Sequence, residues 1–305
     1  MSWILIVEQS LNGLQFGLML FLLAAGLTLV FGIMDMINLA HGSLYMLGAF
    51  LASTFVALTG SFTAGVLLAI PATAILGMAL EVTLLRTLYE RDHLSQVLAT
   101  FALILILNEV VRLVWGSDAA LPMPAALSGP VELLPGLPYP AYRLVIIAVG
   151  LFIAVILYLL VAKTKIGMLV RAGASNREMA LAMGVNIKLL FTLVFGAGAA
   201  LCAVAGAMLA PLFAVQVGMG ENILILAFVV IVIGGIGSIR GALVGAVLVG
   251  VVDTIGRAFL PLLFGLVFQP RVASAAGPAI ASVSIYLLMA VILYFKPKGL
   301  FPARG

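Results

Sequence analysis

Charge is what this sequence has least of. Only 9% of its 305 residues are Asp, Glu, Lys or Arg, and 65% are hydrophobic. Soluble domains carry about 25% charged residues, and a water-soluble fold of this composition would leave large apolar patches in water. Cysteine occurs once, as Cys202, which excludes an intrachain disulfide and a cysteine metal cluster. With two histidines in the chain, no His, Asp and Glu cluster marks a metal site or a membrane enzyme. No G-x-x-x-x-G-K-[ST] nucleotide-binding P-loop occurs, so no catalytic residue is assigned and no nucleotide hydrolysis is expected from this chain. The opening MSWILIVEQS has neither a basic n-region nor a small-residue cleavage site, so no cleaved signal peptide is expected. The ten-residue alternation of a membrane β-barrel is also absent.

What is there is a series of apolar runs near the roughly 20 residues that cross about 30 Å of hydrocarbon as helix. They predict an all-α polytopic membrane protein forming one transmembrane domain over 1–305. Nine spans are expected, near 11–31, 38–58, 62–85, 94–115, 141–161, 189–211, 222–238, 241–262 and 278–295, and totals of eight or ten fit the same runs. The seventh is short and glycine-rich. Basic residues in short loops set orientation. Arg86 and Arg91, the bases from Lys163 to Lys188, and Lys296, Lys298 and Arg304 fall on one side if the N-terminus is outside and the C-terminus cytoplasmic. The other side then holds 116–140, with six prolines, two acids and no base, which reads as an irregular external loop. The net charge of +4 suits basic cytoplasmic loops and gives no reason to expect nucleic acid.

Two apolar stretches are out of character. After span one the sequence continues GIMDMINLAHGSLYMLGAF, putting Asp35, Asn38, His41, Gly42 and Tyr45 in or beside the hydrocarbon. One reading is a tight turn in which Asp35 or Asn38 caps the next helix. The other is a helix broken at Gly32 and Gly42, with Asn38, His41 and Tyr45 sharing a face along a translocation path. The second stretch, 231–250, carries Gly234, Gly235, Gly237, Gly241 and Gly245. It predicts a bend and close helix packing, with backbone contact to a solute as the other reading, and it loosely echoes 32–48 as an internal repeat would. Asp253 and Arg257 stand four apart and predict an ion pair on one helix face near the external end.

Lys163–Lys188, a polar and basic segment, interrupts the apolar chain. Beyond Arg171 it predicts a short helix, with Ser175 or Asn176 as N-cap, Glu178 in the first turn, Ala180 within it and Gly184 ending it. The apolar face of that helix is too small for a membrane-surface helix and suits a knob in the groove of a soluble partner.

These features together resemble one family. RAGASNRE, Glu178-x-Ala180-x-x-x-Gly184 and VNI are similar to the coupling region of permease subunits of bacterial ABC importers. Residues 26–50, 227–250 and the terminal FKPKGLF extend the likeness to the high-affinity branched-chain amino-acid permeases, in particular the shorter of their two unlike permease subunits. The resemblance implies a place in the bacterial inner membrane, a heterodimer with a second, unlike permease, two cytoplasmic ATPase subunits that hold ATP and Mg, and a periplasmic substrate-binding protein. It implies that Glu178, Ala180 and Gly184 lie in the coupling helix and that Asn38, His41 and Gly42 lie near the path. Related systems carry urea, short amides or aromatic carboxylates, so the solute stays open. The rival classes are an ion-coupled secondary transporter working alone, a membrane enzyme and a membrane scaffold.

Overall fold

A computed structural model describes residues 3–301, with eleven helices in this order: α1 (Trp3–Met34), α2 (His41–Thr59), α3 (Phe62–Thr83), α4 (His93–Trp115), α5 (Ala141–Lys163), α6 (Lys165–Ser175), α7 (Arg177–Ala182), α8 (Ile187–Leu209), α9 (Met219–Gly234), α10 (Ile239–Phe264) and α11 (Pro270–Phe295). Eight of them (α1 to α5, α8, α10 and α11) are long and apolar enough to cross a membrane. The seventh expected span, 222–238, falls on α9, whose 16 residues are too few for a full crossing. The chain is an all-α polytopic membrane protein.

Contacts between helix ends sort the loops onto two faces. Near the start of α1, Asn12 accepts hydrogen bonds from Tyr139 (2.9 Å) and Arg143, so residues 116–140 and the beginning of α5 share its face. At the other end of α1, the Ile37 N–H donates to Gln96 in the first turn of α4 (3.4 Å). Gly173 of α6 faces Ile33, and Gly32 faces Gly237. The N–H groups of Leu300 and Phe301 donate to the carbonyls of Ile233 and Gly234, each at 2.9 Å. Arg86, Arg91, the Lys163–Lys188 segment, Lys296 and Lys298 thus lie on one face, opposite the start of α1. Arg304 lies outside the described residues.

The proline-rich loop is more ordered than its sequence predicts. β2 (Pro130–Leu134) and β3 (Leu137–Pro140) form an antiparallel hairpin with Pro130 opposite Pro140. A two-stranded ribbon leaves half its N–H positions unpaired, so it accommodates prolines that a central strand could not. β1 (Asp118–Ala119) pairs with β4 (Val215–Gln216), joining this loop to the α8–α9 connection.

Two halves of the bundle repeat with inverted topology. Helices α1 to α4 correspond to α8 to α11, and α5 to α7 join them. An unwound stretch, 35–40 or 210–218, follows the first helix of each half. The second helix opens with a His41-Gly42 or Met219-Gly220 pair and carries Ala49-Phe50 or Ala227-Phe228 seven residues on. Left-handed Gly60 (φ 67°) or Gly237 (φ 79°) then precedes a serine cap of the third helix: Ser61 accepts from Ala64 N, and Ser238 from Gly241 N. Packing follows the same exchange. Gly13 and Gly17 let α1 lie against α10, where a Cβ on Gly13 would sit 2.7 Å from the Val251 Cα. Gly77 does the same for α3 on α8, where a Cβ would sit 2.6 Å from the Ala199 Cβ. At the centre Gly26 of α1 faces Gly198 of α8. Small residues permit such close approach where no hydrophobic effect drives helices together. The repeat does not pair 32–48 with 231–250, as the loose echo suggests; with Gly42 matched to Gly220, 32–48 corresponds to 210–226.

Candidate functional site

The helix break lies at 35–40, between α1 and α2, and not at Gly32 or Gly42, which are both helical. Asp35 ends α1 in the left-handed region (φ 50°), a role usually taken by Gly or Asn. Asn38 Oδ1 accepts from the Ala40 N–H at 3.0 Å, a local turn bond, and no side chain caps α2. Asn38 therefore precedes the helix and does not share its face, while His41 and Tyr45 are one turn apart on it.

Gly26, which faces the His41 ring, lies eight residues before the end of α1, about 12 Å into the bundle at 1.5 Å per residue. So α2 begins inside the hydrocarbon span. Its second residue, Gly42, meets Gly220, the second residue of α9: a Cβ on either would run into the other's carbonyl. Two interrupted helices cross there through bare backbone. Beside the crossing, His41 Nε2 is 3.1 Å from Cys202 Sγ, and both residues are fully buried. Asn38 Nδ2 and Thr28 Oγ1 are buried without a hydrogen-bond partner. Each such group costs about 1–3 kcal/mol, and unmet polar groups of this kind gather where a protein stores strain or moves. Asn38, His41, Gly42 and Tyr45 are enclosed by this chain, and only Asp35 is exposed.

At the glycine-rich bend, α9 ends at Gly234, and Gly235 and Gly237 turn the chain with positive φ. Gly241 and Gly245 lay α10 against the end of α9. FKPKGLF returns to this point, Leu300 and Phe301 occupying the last carbonyls of α9 while Gly299 rests against Gly235. Asp253 accepts from Arg257 Nε at 2.8 and 2.9 Å, and Arg257 also donates to Ser282 of α11 (2.9 Å).

The basic-face segment contains two helices where the sequence predicts one. Thr164 caps α6 by accepting from the Gly167 N–H (3.1 Å), and Arg171 donates to the Val161 carbonyl of α5, tying α6 back to that helix. Ser175 is the last residue of α6; the cap of α7 is Asn176, which accepts from the Met179 N–H at 2.9 Å. Gly184 (φ 85°) ends the turn, with its N–H bonded to Leu181 O and that of Val185 to Ala180 O. Ala180 is buried and Glu178 exposed. Met179, Leu181 and Met183 stand out from the face, Met183 79% exposed.

A cluster unforeseen from the sequence lies close by. Buried Glu81 accepts from Arg86 Nε (3.2 Å) and Nη2 (3.0 Å), Tyr89 (2.7 Å) and Thr192 (2.6 Å), tying the end of α3 to α8. Glu81 and Arg86 are five apart, which is not a helical pair spacing, because α3 stops at Thr83. Among the described residues no three His, Cys, Asp or Glu gather as a metal site would require.

Residues 9–295 match the family described as branched-chain amino acid transport system / permease component. The chain belongs to that family. This permease is 30% identical over 311 residues to the high-affinity branched-chain amino acid transport system permease protein BraD of Pseudomonas aeruginosa, covering 96% of this chain and 95% of that one. It is 30% identical over 275 residues to the corresponding LivH protein of Escherichia coli, covering 83% and 87%. A probable branched-chain amino acid transport permease, LivH of Methanocaldococcus jannaschii, is 29% identical over 263 residues, covering 82% and 81%. No solved structure matches the permease.

Proposed function

We propose that this permease is one half of the translocation path of an ATP-driven importer for branched-chain or related amino acids. The observation that carries the reading is the α7 knob. Met179, Leu181 and Met183 are exposed on a capped, glycine-ended helix, on the face where the loop bases collect. That face is cytoplasmic by the basic-loop rule, in the inner membrane of a bacterium. An exposed apolar patch there fits a groove in a soluble motor, here an ATPase subunit that binds ATP and Mg. The unlike permease supplies the other half of the path, and a periplasmic binding protein delivers solute to the opposite face.

Closure of the ATPases on ATP would move α6 and α7. Arg171 and the Thr164 turn hold α6 to α5, and Val185 and Asn186 join α7 to α8. Motion then reaches α3 through Thr192 and Glu81, and the Gly42–Gly220 crossing through α8. Asn38, His41 and Gly42 become path-lining when the two interrupted helices part. Selectivity rests mainly with the binding protein.

Glu178→Lys tests the reading, because it reverses charge at the docking surface. Like charges facing across an interface cost several kcal/mol, so coupled uptake should fall at least about tenfold while membrane insertion stays normal. Unchanged uptake and ATPase stimulation would remove α7 from the coupling role. Accumulation of solute in vesicles holding this chain alone would favour the secondary transporter.

A further inference from the structure

Helices α4 and α11 are each the last helix of one half, and their outward faces differ in kind. On α11 the outward residues include Ile280, Val283, Tyr286, Leu287 and Val291, which suit lipid. α4 begins in the same way, with Leu94, Leu98, Phe101 and Leu105 exposed; further on Glu109 and Arg112 continue this stripe, beside the exposed apolar Ile106, Val110, Leu113 and Val114. Glu109 and Arg112 pair at 2.9 Å with side chains 61% and 57% exposed. At 100° per residue Glu109 points almost directly away from the buried stripe of Thr100, Ile104, Leu107 and Val111. It lies six residues before the end of α4, about 9 Å below it. Charges at such depth face protein or water, not hydrocarbon. Neighbouring Asn108 donates to Glu221 Oε1 at 2.7 Å, in the first turn of α9, so a second carboxylate stands at the same level.

We propose that Arg112, Glu109 and Glu221 form the subsite of the path that holds the charged end of an α-amino acid. This rests on the importer reading above. The guanidinium of Arg112 accepts a carboxylate in bidentate fashion, and the two glutamates receive the ammonium. One base and two acids fit a group that carries both charges, and fit an anion or a neutral amide poorly. Ile225, one turn further along α9 and half-exposed, offers apolar surface to the solute's side chain. Without solute, Glu109 and Arg112 satisfy each other. Binding exchanges one ion pair for two, which keeps the site weak enough to release.

The test uses the membrane complex assembled around this chain. Glu109→Cys should react with a charged, membrane-impermeant thiol reagent, and leucine with its binding protein should slow the reaction, while Tyr286→Cys on α11 stays unreactive. Arg112→Gln should lower leucine uptake about tenfold, as loss of a charge-assisted contact does, with Arg112→Lys partly restoring it and ATPase stimulation kept. An unreactive Cys at 109, reaction that leucine does not slow, or normal uptake by Glu109→Gln/Arg112→Gln would overturn the subsite. If the unmodified complex accumulates no amino acid while Glu109→Cys is still labelled, the importer reading fails, and with it the amino-acid assignment, although the water-facing wall stands.

Discussion

Helices α1 to α4 and α8 to α11 share a plan, and what they do not share points to use. Each half begins its second helix inside the membrane, and the two meet glycine to glycine at 42 and 220. Each also ties its third helix with an ion pair, though of different quality. Glu81 is buried and bonded by Arg86, Tyr89 and Thr192, on the face that carries α7. Asp253 bonds Arg257 alone, and Arg257 leans on Ser282 with its side chain about half exposed. The first half is braced where force would enter, while the second half is held loosely near the opposite face. The repeat therefore ties its two third helices by different means, a buried multi-partner carboxylate in one half and a half-exposed ion pair in the other.

The sharpest way to break the comparison is at the crossing. Gly42→Val or Gly220→Val would drive a branched side chain into the partner's backbone, where overpacking costs about 1–3 kcal/mol or more. Either should abolish uptake of radiolabelled amino acid while protein is still found in the membrane, and the two should be equally severe. Gly129→Ala, where a Cβ meets nothing within 4 Å, is the silent control. Normal uptake with Gly42→Val would return 35–45 to the role of a simple turn.

The next effect is on the braces. Glu81→Gln loses its ion pair with Arg86, so it should lower thermal stability in detergent and uncouple ATPase stimulation from uptake. Asp253→Asn should lower stability less and leave coupling intact. Equal losses in both assays would show that the two braces are equivalent. Smaller still is Cys202→Ala, which removes a soft contact with His41 from a fully buried spot and should lower stability modestly with uptake kept.

The smallest effect concerns the start of α4. Asp92 accepts from the Ser95 hydroxyl and N–H, and these hydrogen bonds hold its carboxyl below the usual carboxylate range. A lowered folded value means the cap's contribution is present at neutral pH and is lost as pH falls through that value. Asp92→Ala should therefore lower thermal stability slightly at neutral pH and not at acid pH. Gln269, at the matching place before α11, makes no side-chain cap bond, so Gln269→Ala should change nothing at either pH.

Much of this was legible in the chain because it depends on local order. The span pattern, the short ninth helix, and the Gly184 end of α7 follow from periodicity, run length and turn chemistry. Asn176 rather than Ser175 as the cap was a choice between neighbours that only the end of α6 decided. The sequence allows either a tight turn or a break at Gly32 and Gly42, and local spacing does not decide between them. Glycines at 32 and 42 suggested weak points, whereas they serve close packing, and the unwinding falls on Asp35 to Ala40. Glu81 with Thr192, and Gly13 with Val251, join residues far apart in the chain, and no spacing rule announces such partners.

The return of Leu300 and Phe301 to the end of α9 also orders events in time. The carbonyls of Ile233 and Gly234 enter the membrane well before the residues that will satisfy them have been synthesised. Until α10 and α11 have threaded through, the last turn of α9 is a provisional structure, closed only when the tail arrives. The bend between α9 and α10 is thus sealed late in biogenesis, and a chain stopped after α11 would fill the membrane with its bundle complete and its seam still open.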